Sequence, residues 1–317
     1  MTGQDKYSDY SAGRRQFISK LFIAAAAGLA KPSLISASSG ESVTGTGPLS
    51  LPAMPSISLG SHKISRLICG SNPLLGYSYL GTHTDRQMKE YFTVERTVDF
   101  LNKCELAGIT AHQSSGRSDY LIPLWESGSK LKIISLQSEI GKIRPAIESA
   151  RPIAIVHHGG VSDRLFAEGK QQIVHDFVKA VKDQGLMAGV SAHNPDVIRQ
   201  IAESGWDVDL FMTCFYYLTR KHENTNPLKV LPVSSYHFLK EDPLRMTEVI
   251  RQVKQPCLAF KILGAGRLCN SQEEVEAAFK FAFENIKPTD GVIVGMFPWY
   301  FDEITANVNF ANEFGSR

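Results

Sequence analysis

Four of the nine histidines, His112, His157, His158 and His193, stand at the downstream ends of short apolar runs, among other polar residues. Gln113 follows His112, Gln137 and Glu139 close the next run, and Ser191 and Asn194 flank His193. Tyr216 ends a further run, and Lys261 lies in the one after it. These residue types support three chemistries. The imidazoles of His112, His157, His158 and His193 with the Glu139 carboxylate make a donor set for zinc, iron or manganese. Such a metal polarises a substrate oxygen or activates water, as in a lyase, isomerase or hydrolase. Alternatively, His157 exchanges protons with substrate, with His112 or Tyr216 as the acid. Finally, the Lys261 amine binds phosphate or carboxylate, or forms an imine if an apolar wall lowers its pKa. Strand alternation places Phe260 and Ile262 on the opposite face from Lys261, which favours anion binding.

Eight β-branched runs position these residues: Arg66 to Gly70, Ile109 to Gln113, Lys132 to Gln137, Ile153 to His157, Met187 to Ser191, Leu210 to Phe215, Cys257 to Ile262 and Gly291 to Gly295. They are near-continuous apolar strings, as expected for parallel strands covered on both faces. Amphipathic segments separate them, with start and stop signals. Thr93 opens one that Gly108 closes, and residues 170 to 184 form another that stops at Gly185. Asn194-Pro195 and Asp242-Pro243 are cap-plus-proline starts, and Ser271 to Glu274 is a capping box. Eight βα units predict an α/β fold, a single closed (β/α)8 barrel, whose active site gathers at the C-terminal strand ends. An open doubly wound sheet would want a GxGxxG after the first strand, where Gly70-Ser-Asn-Pro73 stands instead. Asn72 and the loop Leu74 to Tyr91, with Tyr77, Tyr79 and His83, form a lid over the mouth. Trp125 and Trp206 pack rather than recognise ligand.

Ahead of the barrel, Gly13-Arg-Arg-Gln-Phe-Ile-Ser-Lys20 precedes the weakly apolar Leu21 to Ala30, the pattern of a twin-arginine export signal. The run is too short to span a membrane comfortably. The expected organisation is a signal peptide over 1–37, a Ser/Gly/Thr/Pro linker over 38–56 and the barrel domain over 57–317. The translocase of that pathway is then a partner during export of the folded chain. The mature protein is periplasmic, or anchored by an uncleaved signal. Of 34 basic and 32 acidic residues, residues 1–37 hold five (Lys6, Arg14, Arg15, Lys20, Lys31) and two (Asp5, Asp9), leaving 29 against 30. Near-neutral charge without a basic stripe argues against nucleic acid and for a small-molecule substrate. Five cysteines without CxxC spacing give no disulfide framework, and Cys69, Cys214 and Cys257 read as buried thiols.

Ile57-Ser-Leu-Gly60 with Lys63 to Gly70, Ala107-Gly-Ile109, Ile155-Val-His157, Gly189 to Pro195, Ala259 to Gly266 and Val292 to Gly295 with Glu303 and Asn307 together resemble the aldo-keto reductases over nearly the whole predicted barrel. The resemblance implies an opening hairpin, a (β/α)8 barrel and NAD(P)-dependent carbonyl reduction. It assigns Ser191, Asn194, Gly264, Gly266, Arg267, Glu303 and Asn307 to the nucleotide. The segment Phe297 to Tyr300 lacks the basic residues that grip a 2′-phosphate, so NADP is not favoured over NAD. The family's catalytic Asp, Tyr, Lys and His are mostly replaced: Gln113 and Gln137 stand at the Asp and Lys positions, no Tyr follows at family spacing, and only His157 matches. The implied function is an exported oxidoreductase with atypical catalytic residues, acting on a small polar, sugar-like carbonyl or hydroxyl compound. The other readings are the metal-dependent enzyme above and a non-catalytic periplasmic binding protein.

Overall fold

The computed structural model describes residues 54–220 and 236–316. The signal and most of the linker lie outside the described residues. Strand β1 (Ser56–Leu59) begins one residue before the expected domain boundary. It forms an antiparallel hairpin with β2 (His62–Ser65), as the resemblance implied.

Eight parallel strands follow: β3 (Leu67–Gly70), β4 (Ala111–Ser115), β5 (Lys132–Gln137), β6 (Ala154–His157), β7 (Met187–Ala192), β8 (Leu210–Cys214), β9 (Cys257–Phe260) and β10 (Gly291–Val294). They pair in sequence order, and β10 returns to β3, closing the predicted (β/α)8 barrel. All eight expected runs become strands. The second starts two residues late, at Ala111, and the seventh ends at Phe260, before Lys261.

Side-chain alternation sorts the wall into two layers. Ile68, Ala111, Ile134, Ala154, Val156, Leu210, Met212, Leu258 and Ile293 point inward. Ile57, Leu59 and Ile64 of the hairpin join them and close the N-terminal end. The outward layer, with Ile133, Ile155, Val190, Phe211 and Val292, packs against the helices.

The helix signals act largely as read. Thr93 caps α2 (Val94–Leu106), which follows α1 (Thr82–Tyr91), by accepting from the Arg96 N–H at 3.3 Å. Asn194 caps the helix Pro195–Glu203, and Ser271 caps Gln272–Asn285. Asp242 is a correction. Its carboxylate accepts from the Tyr217 N–H at 3.1 Å and pairs with Arg220 instead of capping its own helix. Trp206 stacks on His175 at 4.7 Å, and Trp125 donates to the Ser149 carbonyl at 3.5 Å, so both are packing residues. Among the described residues no helix is long and apolar enough to cross a membrane.

Candidate active site

A cavity of about 730 Å3 opens at the C-terminal ends of the barrel strands. Alternation decides which of each pair of adjacent polar residues reaches it. On β4, Ala111, Gln113 and Ser115 face inward, so His112 faces the helices. On β6, Ala154 and Val156 face inward and the next inward position is His158, so His157 faces out. On β5, Leu136 lines the cavity and Gln137 does not.

The outward residues are tied into the protein, although His157 Nε2 is left without a hydrogen-bond partner. His112 Nδ1 lies 3.0 Å from the Cys69 carbonyl and Nε2 lies 2.8 Å from the Tyr120 hydroxyl. Nδ1–H donates to the carbonyl, and Nε2 pairs with a hydroxyl that can donate or accept, so both contacts are made whichever charge the ring carries; against the desolvation of burial, Tyr120 and Cys69 push its pKa up. His157 Nδ1 lies 2.7 Å from Ser162 Oγ and its ring sits on Phe177 at 4.9 Å. Burial, with His158 beside it, holds its pKa down to about 4. Gln137 Nε2 donates to Ser135 Oγ at 3.1 Å. Tyr216 is buried on Phe238 at 5.0 Å, away from the cavity lining. Glu139 is exposed. His112, His157, Gln137 and Tyr216 therefore do not reach the cavity, contrary to the sequence expectation.

The proposed metal set fails on the same geometry. Only His158 and His193 of its five members line the cavity, and among the described residues no three His, Cys, Asp or Glu side chains gather as ligands.

The inward residues have open valences. Gln113 is 6 % exposed, and its Nε2 has no hydrogen-bond partner. His193 is oriented by Asp163, a residue the sequence reading passed over. Asp163 Oδ2 accepts from the His193 backbone N–H at 2.9 Å and its ring Nδ1 at 3.0 Å, and from Thr219 Oγ1 at 2.9 Å. Its Oδ1 accepts from the Asn194 N–H at 3.2 Å. An acid one turn into the helix Gly159–Ala167, facing a His from the next strand, was not visible as a pair in the sequence. With Nδ1–H given to Asp163, His193 presents Nε2 as an acceptor, and burial lowers its pKa and keeps it neutral. Burial also lowers the pKa of His158. Gly159 is required beside them, because a Cβ there would stand 2.8 Å from Ser191 Oγ.

Lys261 reaches the cavity for a different reason. By alternation Phe260 faces inward and Lys261 outward, the reverse of the sequence reading. Lys261 takes a left-handed backbone (φ 58°), which interrupts the alternation, and Phe260 and Lys261 both line the cavity. Tyr77 and Tyr79 of the expected lid line it too, as does Tyr236, but His83 does not.

Of the residues assigned to a nucleotide, Ser191, Gly266, Glu303 and Asn307 line the cavity. Burial raises the Glu303 carboxyl to about 7 while it accepts from the Phe297 N–H at 2.8 Å. The other three do not line it. Asn194 is spent on its cap. The Gly264 and Gly266 N–H groups donate within the turn, to Lys261 and Leu263 carbonyls. Arg267 lies 3.7 Å over the Phe238 ring and donates to the Gly264 and Tyr79 carbonyls, so it ties loops together. The phosphate cradle expected there is closed on itself.

No protein-family model matches the chain, and no curated protein matches it in sequence. Solved structures do. An aldo-keto reductase, AKR11C1 from Bacillus halodurans in its holo form, is 12% identical with a TM-score of 0.51, covering 81% of this chain and 90% of that one. A Yersinia pestis dihydropteroate synthase bound to a sulfonamide drug is 10% identical with a TM-score of 0.50, covering 81% and 96%. At such identity the likeness is one of fold, and it extends to barrels of different chemistry. The class that fold and topology define is the (β/α)8 barrel.

Proposed function

We propose that the chain is an enzyme acting on a hydroxyl or carbonyl group of a small polar molecule, with His193 as the proton-transferring residue and Asp163 as its orienting partner. The observation that carries this reading is the His193–Asp163 pair on the wall of a strand-end cavity, with ring Nε2 free of any described partner. An imidazole so held accepts a hydroxyl proton as the carbon is oxidised, and returns it in the reverse direction. The unpartnered Gln113 Nε2 suits the substrate oxygen.

In its oxidoreductase form the reading takes a nicotinamide dinucleotide, NAD or NADP, with NADP not favoured over NAD. The cavity is large enough, and Ser191, Gly266, Glu303 and Asn307 are the residues that would hold it. When bound, the nicotinamide supplies the hydride acceptor. The test is calorimetric titration with NAD, NADH and NADPH. Saturable binding abolished by Asn307→Leu supports the oxidoreductase form. No binding at millimolar nucleotide removes hydride transfer and leaves proton-transfer chemistry of the isomerase or lyase kind. The Arg14-Arg15 segment supports export by the twin-arginine route, and cell fractionation of the wild type against an Arg14→Lys, Arg15→Lys double variant tests it.

A further inference from the structure

Among the described residues four non-glycine residues have a left-handed backbone: Tyr79, Arg151, Lys261 and Ala265. Three of them, Tyr79, Lys261 and Ala265, line the mouth cavity. Each such conformation costs about 1–3 kcal/mol and persists only where the surroundings impose it. At Lys261 the consequence is specific. The strain turns a long side chain into the cavity that alternation would have sent to the helices.

The amine arrives in an aromatic box. Nζ lies 4.8 Å from the centroids of both the Tyr79 and Phe260 rings. The Tyr77 and Tyr236 hydroxyls complete the wall, and Tyr79 meets both rings edge-on, at 4.5 and 5.4 Å. Nζ makes no hydrogen bond or ion pair with any described residue. Among the described residues the titratable groups that face it are Tyr79, Cys214, Tyr77, Tyr236, His158 and His193, with no carboxylate. The ring faces attract an ammonium, while desolvation opposes it. Desolvation is the larger effect and pulls the Lys261 pKa down. His193 edges onto the same Phe260 ring at 5.6 Å, which puts a proton carrier next to the amine.

The geometry points to Lys261 as a nucleophilic amine that condenses with the carbonyl carbon of a small aldehyde or ketone entering this cavity. The Nζ lone pair forms the new C–N bond. The carbonyl oxygen takes up both amine protons, relayed by His193, and leaves as water, so amine and carbonyl become imine and water with no oxidant or reductant. This chemistry needs no nucleotide and stands apart from the oxidoreductase form above.

The full chain is incubated near pH 7 with glycolaldehyde, or separately pyruvate, and sodium cyanoborohydride, and adducts are located by intact mass and peptide mapping. Lys261 should be labelled severalfold faster than the average lysine, since burial lowers its pKa and leaves more free amine near neutral pH. Lys261→Gly removes the amine and relieves the left-handed strain, so the variant folds. It should lose the fast adduct and keep the slow background. Labelling of Lys261 no faster than the other lysines, or a fast adduct that persists in Lys261→Gly, would overturn the assignment. Calorimetry with nucleotide on the same preparation reports independently on the oxidoreductase form.

Discussion

The two faces of the barrel wall carry similar residues in different settings, packed against helices on one side and bordering the cavity on the other. Outside, His112 is held between the Cys69 carbonyl and the Tyr120 hydroxyl, and His157 is tied to Ser162. Inside, one residue further along β4 and β6, Gln113 has an unpartnered donor and His158 borders the cavity. A buried polar group without a partner costs stability that a paired one does not. The outer shell is bonded into the fold except at His157 Nε2, and the inner shell leaves Gln113 Nε2 open toward the cavity, where a ligand can reach it.

Variants can be ranked by how sharply they separate the two shells. Asp163 belongs to both, because it orients an inward histidine while bonding buried backbone. Asp163→Ala should cost about 3–5 kcal/mol in denaturant unfolding, with donors from His193, Asn194 and Thr219 left unpaired. A loss below about 1 kcal/mol would mean that the carboxylate is not the hub described.

Next is the pH dependence of the outer shell. His157 is held neutral in the fold, down to about 4, against an ordinary value of about 6.5. Below about 6.5 the unfolded chain binds a proton that the folded chain does not, so stability falls with falling pH and levels off below about 4, a total of about 3 kcal/mol. His157→Gln should flatten that part of the curve. Parallel wild-type and variant curves would dissociate the histidine from it.

Tyr120→Phe strips one hydrogen bond from the buried His112 and should cost about 1–3 kcal/mol without altering cavity ligands. A change in ligand affinity would blur the division into shells. The smallest effect has the opposite sign. Lys261→Gly should raise stability by about 1 kcal/mol, as expected for relief of a left-handed side chain, and calorimetric melting reads it directly.

The barrel was legible because most strands lie in apolar runs and several helices carry cap signals, of which Thr93, Asn194 and Ser271 act as caps. The site was half legible for a reason the strands supply. His112-Gln113 and His157-His158 are adjacent pairs, and the ends of short strands do not reveal which member faces inward; a frame fixed by Ala111 or by Ala154 and Val156 does. Lys261 defeats even that frame, since its orientation comes from one backbone angle and not from alternation. Asp163 was invisible because its partner lies 30 residues away. The Gly264 to Gly266 turn looked like a phosphate cradle, yet its amides close on neighbouring carbonyls, and no residue pattern distinguishes the two outcomes.

The β1–β2 hairpin makes the barrel a stoppered vessel. With Ile57, Leu59 and Ile64 sealing the far end, a guest lying deep beside Gly70 and Gln113 has no rear exit. Anything that reaches that depth therefore enters and leaves by the strand-end mouth, past the aromatic side chains of Tyr77, Tyr79 and Tyr236.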